Sequence, residues 1–490
     1  MLIKNLLLKI ILYIFIFSIL IFYIFSKEAI SKNYLIPEEN EKYSGGKGTI
    51  FNFNNNAFSK QMKNISFEER MDFAIGNGFF KRIWVSSPAS TKASDGLGPL
   101  FNSRSCQRCH LKDGRGHPPE FNFPEDDAVS MVLHLSIPPR NDEEISMLNN
   151  LTLKAIPDPI YGSQLSDFSI QGIPAEGNLH IIYEEQEVKF KDGEVVYLRK
   201  PNYSIKNLQF GDLHEEIQLS ARVAQPMFGL GLLESISEDD IRKNADPNDE
   251  NQDGISGKAN LVLNYQTISI DLGRFGWKAT NPTIYQQSAE AANQDMGLSN
   301  SLFHNPDNCT DLQEQCKKMP NGNTEMHNNF ELSNEQLDLM VFYAKHLAVP
   351  GRREHDDFEV LKGKEIFFNS GCNSCHVQKF TTQNIPGDKA LSNQLIWPFT
   401  DLLLHDMGEG LADNNKEFLA EGNEWRTPPL WGLGMTKKVN KHTFLLHDGR
   451  ARNIMEAILW HGGEAEHSKN IILSLNKKDR DYLIKFLESL

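Results

Sequence analysis

Apolar positions are densest at the start of the chain. "MLIKNLLLKIILYIFIFSILIFYIFSK" carries Lys4 and Lys9 and then runs apolar from Ile10 to Phe25. A positive flank before an apolar run is the form of an export signal. No small-x-small cleavage site follows and the run is long for a signal core, so residues 1–27 read as a signal peptide or an uncleaved membrane anchor. A buried core helix is the alternative, although nothing polar gives such a helix a second face. After a polar, Gly/Asn-rich lead-in, "FEERMDFAIGNGFFKRIWV" has helical spacing and predicts a helix ending near a glycine. From about Asp127 to Ala224 the pattern alternates or runs β-branched between Asp-Gly and Pro breaks. That texture predicts strands, with "EVKFKDGEVVYL" as the best hairpin. Helical spacing returns in "TIYQQSAEAANQDMG" and in "LSNEQLDLMVFYAKHLAVP", where Ser333 is the N-cap and Gln336 follows three residues on. After the linker-like "PGRREHDD", "EVLKGKEIFFNSGCNSCH" predicts a helix running into a cysteine cluster, and "KKDRDYLIKFLESL" a closing helix.

This rhythm divides the chain into an N-terminal body at residues 45–350, with a β-containing insertion at about 127–224, and a C-terminal unit at 355–490. The formal net charge of -15 supplies no broad basic surface, which argues against a nucleic-acid partner and suits small molecules or basic redox partners. Six cysteines are present, none near the apolar run, so lipid attachment there is excluded. Cys309 and Cys316 lie close enough to close a small loop, and an exported chain predicts a disulfide between them.

The other four cysteines form two clusters, "SCQRCH" and "GCNSCH". In Cys-x-x-Cys-His the two thiols can bond covalently to a haem while the adjacent imidazole lies under its iron. A redox dithiol would not need the histidine, and zinc would need both clusters to share one ion. Two such clusters in an exported chain predict one haem c on Cys106, Cys109 and His110 and another on Cys372, Cys375 and His376. A strong sixth ligand on both irons would leave no seat for substrate. By spacing alone, Met407, Met435 and His461 are all candidates behind the second iron.

Several separate motifs, in order, carry a resemblance. "GRFGWKATNPTIYQQSAEAANQDMG", "DLLLHDMGEGLAD", "EWRTPPLWGLG" and "FLLHDGRARNIMEAILWHGGEA" resemble the di-haem oxidoreductase family. That family is related to bacterial di-haem cytochrome c peroxidases and to the di-haem enzyme that matures methylamine dehydrogenase. The insertion falls outside the peroxidase pattern. The resemblance implies that His461, fourteen residues after His447, is the distal ligand of the second iron, although Leu446 stands where the peroxidases have an aromatic. It implies Trp277 as an inter-haem tryptophan, Gln287 as a distal glutamine and Asp295 as the distal acid. It further implies a calcium held by Asn260 with the carbonyls of Thr427 and Pro429. Asp249, Asn251 and Asp253 separately resemble the start of a calcium loop, but Asn260 stands where its final Glu belongs. The peroxidases' blocking histidine has no counterpart in "NADPNDENQDGISGKAN", which implies a first iron open without activation. His405 and His447 are implied neighbours of the haem carboxylates, and Arg115 pairs with one.

The expected architecture is mainly α: two cytochrome c-like haem domains with a β-containing insertion in the first. The expected function is a periplasmic di-haem peroxidase that reduces hydrogen peroxide or another small oxidant at the first haem. Electrons from a small redox donor protein would be relayed through the second. A pure electron carrier with both irons six-coordinate is the alternative, and oxidation of a protein or thiol partner a third reading.

Overall fold

The computed structural model describes residues 34–490 apart from 128, 306 and 307. The export or anchor expectation for residues 1–27 lies outside the described residues, among which no helix is long and apolar enough to cross a membrane. The expectation of a mainly α chain is corrected. The structure is 28% helical and 17% strand, in six small two-stranded sheets, too little helix for that class without making it plainly another. The predicted helices form, but the longest described one has 15 residues. With 34 glycines and 22 prolines punctuating the chain, the apolar-periodic runs stay short and turns take up the rest.

Two glycine-mediated helix pairs frame the two cysteine clusters. Helix α1 (Phe67–Lys81) starts at a reciprocal capping box between Ser66 and Glu69. It does not end at its glycines, as its sequence suggested, but runs through Gly76 and Gly78. Gly76 is where α1 crosses the later helix Asn334–Lys345, and a Cβ there would collide with the Leu339 carbonyl oxygen. Helix α2 (Ile284–Met296) opens on Thr283, whose hydroxyl accepts from Gln286 N. Helix α3 (Asn334–Lys345) opens on the expected capping box of Ser333 and Gln336. Helix α4 (Phe358–Asn369) leads into the second cluster and packs on α5 (Lys477–Ser489). At that crossing Gly363 lies against the Tyr482 carbonyl, again with no room for a Cβ.

The insertion forms strands as predicted. β1 (Met131–Ser136) pairs antiparallel with β4 (Gln218–Val223), and β2 (Asn178–Lys189) with β3 (Val195–Lys206). The β2–β3 hairpin turns through Gly193 at φ 95°, a conformation glycine adopts freely. Met131, Leu133 and Leu135 point into one core with Leu179, Ile181 and Leu198. The same core contains Trp425, Leu459 and Trp460. The insertion therefore packs on residues of the C-terminal unit.

The N-terminal segment also crosses to that unit. Tyr34 stacks on Phe368, and fully buried Glu41 pairs with Lys364 at 2.7 Å and with Arg352. Cys309 and Cys316 form the expected disulfide.

The helix crossings carry a stability prediction. Gly76→Ala and Gly363→Ala should each lower the unfolding free energy by about 1–3 kcal/mol, because backbone must shift to admit the methyl. Gly78→Ala, on the same helix as Gly76 but with nothing within 4 Å of the added atom, should stabilise by about 0.4–1 kcal/mol. Denaturant midpoints of the three variants check this, and equal effects at positions 76 and 78 would contradict it.

Candidate functional site

Each cysteine cluster lines its own large cavity. The first is lined by Cys106, Cys109 and His110. The second is lined by Cys372, Cys375 and His376. The four thiols lie in two cavities rather than at one point, and among the described residues no group of three acidic, His or Cys side chains could hold a metal ion. Neither cluster is bridged by a disulfide. Burial pushes Cys106, Cys109 and Cys372 up to about 12 and raises Cys375. Thiols held so strongly protonated do not suit a reactive dithiol.

The imidazoles are prepared as neutral ligands. His110 Nδ1 donates to the Gln225 carbonyl at 2.7 Å, His376 Nδ1 to Phe399 at 3.0 Å and His461 Nδ1 to Ala457 at 2.7 Å. A carbonyl only accepts, so each Nδ1 carries the proton and each Nε2 keeps its lone pair. Burial lowers His110 and His376 to about 4 and lowers His461, so all three stay neutral. This is how ligating histidines are oriented by their surroundings. His461 lines the second cavity with His376. Met407 lines the same cavity, whereas Met435 lies in the main apolar core.

Period-two and period-3.6 faces build the first cavity. Val132 and His134 alternate with the core residues of β1, and Arg222 sits opposite Val132 on β4; all three line the cavity. From α2, Gln287, Ser288, Glu290, Ala291 and Asp295 face it, Ala289 and Ala292 turn to the core, and Ile284 and Met296 belong to both. Asp295 accepts a 2.8 Å hydrogen bond from Gln164 of the insertion. Burial pushes its carboxyl up to about 6 against that bond, which lowers it. Gln287 Oε1 accepts from Asn281 at 3.2 Å. Glu290 pairs with Lys154 at 2.7 Å. Burial acts to raise Glu290, but the Lys154 charge and the Asn281 and Lys154 hydrogen bonds hold it below the usual carboxylate range. Two carboxyl groups of one cavity are thus set to opposite protonation preferences.

Trp277 lines both cavities, with its indole N–H donating to the Val223 carbonyl of β4 at 2.9 Å. A second aromatic pair borders the second cavity: Trp425 stacks on His447 at 3.7 Å between centroids and 8° between planes. Burial brings His447 down to about 3. His405 is held between Asp401 at 2.8 Å and Glu464 at 2.6 Å. Burial lowers His405, but these acids outweigh it and lift the ring well above its usual range.

Two of the three residues implied for calcium are otherwise engaged. Asn260 Oδ1 accepts from Leu419 N, and its amide donates to the Lys278 and Glu417 carbonyls. The Thr427 carbonyl accepts from Thr400 and Arg426. Pro429 lines the second cavity. Asp249, Asn251 and Asp253 cap backbone N–H groups of their own loop.

The spacing of motifs did not reveal Gln164, Lys154, His134 or Arg222 as cavity residues. All come from the insertion, and only the folded β1–β4 register and the loops around it bring them there. Glu290 had a weak local signal, three residues beyond Gln287 on the same helix.

The residues fit a pair of haems: two cavities, two thiols and a neutral imidazole in each, and further imidazoles, His134 in the first and His461 in the second. A family model described as "Di-haem oxidoreductase, putative peroxidase" matches residues 39–490. No curated protein and no solved structure matches the chain. With the match covering nearly all of its length, and both cavities furnished as that description requires, the chain belongs to the di-haem oxidoreductase family.

Proposed function

We propose that this chain is an exported c-type oxidoreductase that reduces a peroxide in the first cavity with electrons entering through the second. The observation that carries this reading is Trp277, a single buried side chain common to both cavity walls. Cys106 and Cys109 would hold one haem with His110 as ligand, and Cys372 and Cys375 the other with His376 and His461. The haems supply the redox chemistry. Reducing hydrogen peroxide to two waters takes up two protons and two electrons, and the chain must handle the protons. Asp295 would take a proton from one peroxide oxygen and return it to the other. Gln164 holds the Asp295 carboxylate, and Gln287 on the same helix face orients the bound molecule. Trp277 offers a path for electrons from the second cavity. With His376 and His461 as its ligands the second iron would have a lower potential than with His and Met, because imidazole favours the ferric state more than thioether does.

The disulfide and the apolar N-terminal run support export to an oxidising compartment such as the periplasm. The acidic surface balance favours a small, basic electron-donor protein as partner. The reading includes no calcium, since Asn260 and Thr427 are already hydrogen-bonded within the chain. One observation favours a carrier instead: His134 lines the first cavity as a second imidazole, with Nδ1 3.4 Å from Glu417. The ferric spectrum separates the two readings. The peroxidase reading expects one high-spin haem that changes on adding peroxide, and His461→Ala turning the other from low to high spin. Two low-spin haems inert to peroxide would establish the carrier. Mass measurement of material made with haem-attachment machinery should show two covalent haems, and fewer would sink both.

The Asp295 assignment predicts a pH profile. The carboxyl must be ionised to accept a proton, so kcat/KM should rise through about pH 6 and level above it. Asp295→Asn should lower kcat/KM by roughly 10²–10⁴-fold and remove that limb. Gln164→Leu deletes a hydrogen bond that favours the carboxylate, so the limb should move to higher pH with both haems retained. A limb that stays in place in Gln164→Leu would refute the pairing.

A further inference from the structure

A third, smaller cavity adjoins the two large ones. It shares Gln225 and Trp277 with the first, and Arg115, Arg426 and Trp277 with the second. Three guanidinium groups line it, those of Arg115, Arg274 and Arg426. They are 8%, 7% and 4% exposed.

These three break a rule that the chain otherwise keeps. Nine lysines and arginines among the described residues are buried: Arg115, Arg222, Arg274, Lys278, Arg352, Lys364, Arg426, Arg450 and Arg480. Six have a carboxylate partner. Arg222 meets Asp413 and Glu417, Lys278 meets Asp413, and Arg352 and Lys364 meet Glu41. Arg450 meets Asp448, and Arg480 meets Asp192 and Glu194. The three without an ion pair are those that line the third cavity. Acids influence them only through space: Asp448 acts on Arg115, Asp401 on Arg426, and Glu238 and Glu234 on Arg274. Each of those acids already has a cation of its own, in Arg450, His405, Arg242 and Lys345 respectively.

Carbonyl groups satisfy some of the donors without cancelling any charge. Arg115 donates to the Leu446 carbonyl, Arg274 to those of Leu233 and Ile236, and Arg426 to those of Gly276 and Thr427. Arg115 Nε and Gln225 Nε2 are buried with no acceptor at all. A buried charge left unpaired is strongly unfavourable, so a cavity holding three of them is built for an anion that the chain itself does not supply. Guanidinium forks match carboxylates in geometry as well as charge.

We propose that the third cavity is a carboxylate seat, in which Arg115, Arg274 and Arg426 receive the carboxylates of haems bound in the two large cavities and provide the positive charge that a bridging divalent cation would otherwise supply. The proposal rests on the di-haem reading above. It accounts for the internal engagement of Asn260 and Thr427, because no metal is required beside the three arginines. It also gives Arg115 and Arg426 an electrostatic function, since positive charge close to a haem favours its ferrous form.

The experiment uses the haem-loaded full chain, with haem content checked for every sample. Elemental analysis of the desalted wild type should find far less than one calcium per chain, and a chelator should leave its ferric spectrum unchanged. Arg426→Gln and Arg115→Gln, by spectroelectrochemistry, should shift the midpoint potential of the second-cavity haem downward. Arg426→Lys, which keeps the charge, should restore most of that shift. Stoichiometric calcium whose removal alters the spectrum would overturn the proposal. So would unchanged potentials in charge-removing variants that carry both haems. Should a glutamine variant fail to load haem, the wild-type calcium measurement and the Arg426→Lys potential still decide. A wild type without two haems would instead refute the preceding reading, a distinguishable failure.

Discussion

The hydrogen bond from the Trp277 indole to the Val223 carbonyl is the constraint on which the rest of the site depends. It fixes a side chain from the loop before α2 against the last residue of an insertion strand. The Trp277 carbonyl in turn accepts from Arg426 N of the C-terminal unit. Three parts of the chain remote in sequence therefore meet at one residue, and both large cavities take their shared wall from it. An indole N–H left unpaired at this depth would be costly, so the register of β4 and the position of the ring are set together.

Around that wall the protein sorts its buried charges by task. Lys154 with Glu290, and Arg222 with Asp413 and Glu417, are paired within the chain and stiffen the insertion against the first cavity. Asp295 has only an amide from Gln164, and so keeps a carboxyl that can gain or lose a proton near neutrality. Neutral imidazoles on backbone carbonyls complete the arrangement, each keeping one lone pair free. Paired charges serve rigidity, and the few unpaired or singly bonded groups remain for chemistry.

Features encoded in local spacing were legible in the sequence. The two Cys-x-x-Cys-His clusters, the Ser333 cap, the β2–β3 hairpin and the Cys309–Cys316 bridge each depend on residues a few positions apart. His461 could be singled out only through a resemblance, because nothing in its own neighbourhood distinguishes it from Met407. Gln164, Lys154, Arg274 and Arg426 were invisible because their meaning arises from contacts between parts of the chain remote in sequence, and Arg115 was named without the two arginines beside it. The helical class was overestimated for a similar reason. Periodic runs show where helices can start, but glycines such as Gly76 are ambiguous in sequence, since they can end a helix or let it touch another. Here Gly76 does the second, and the long turns between helices left no periodic signal.

The shared core of insertion and C-terminal unit bears on how the molecule is assembled. Leu133 and Leu179 of the insertion pack in one cluster with Trp425 and Trp460, residues synthesised almost three hundred positions later. Contacts of such separation form late. When Cys106 and Cys109 first emerge, the compartment around them lacks the face that will eventually enclose it. The wall of the first cavity itself, from Phe80 to Ala344, is complete in the chain before the second thiol pair is synthesised.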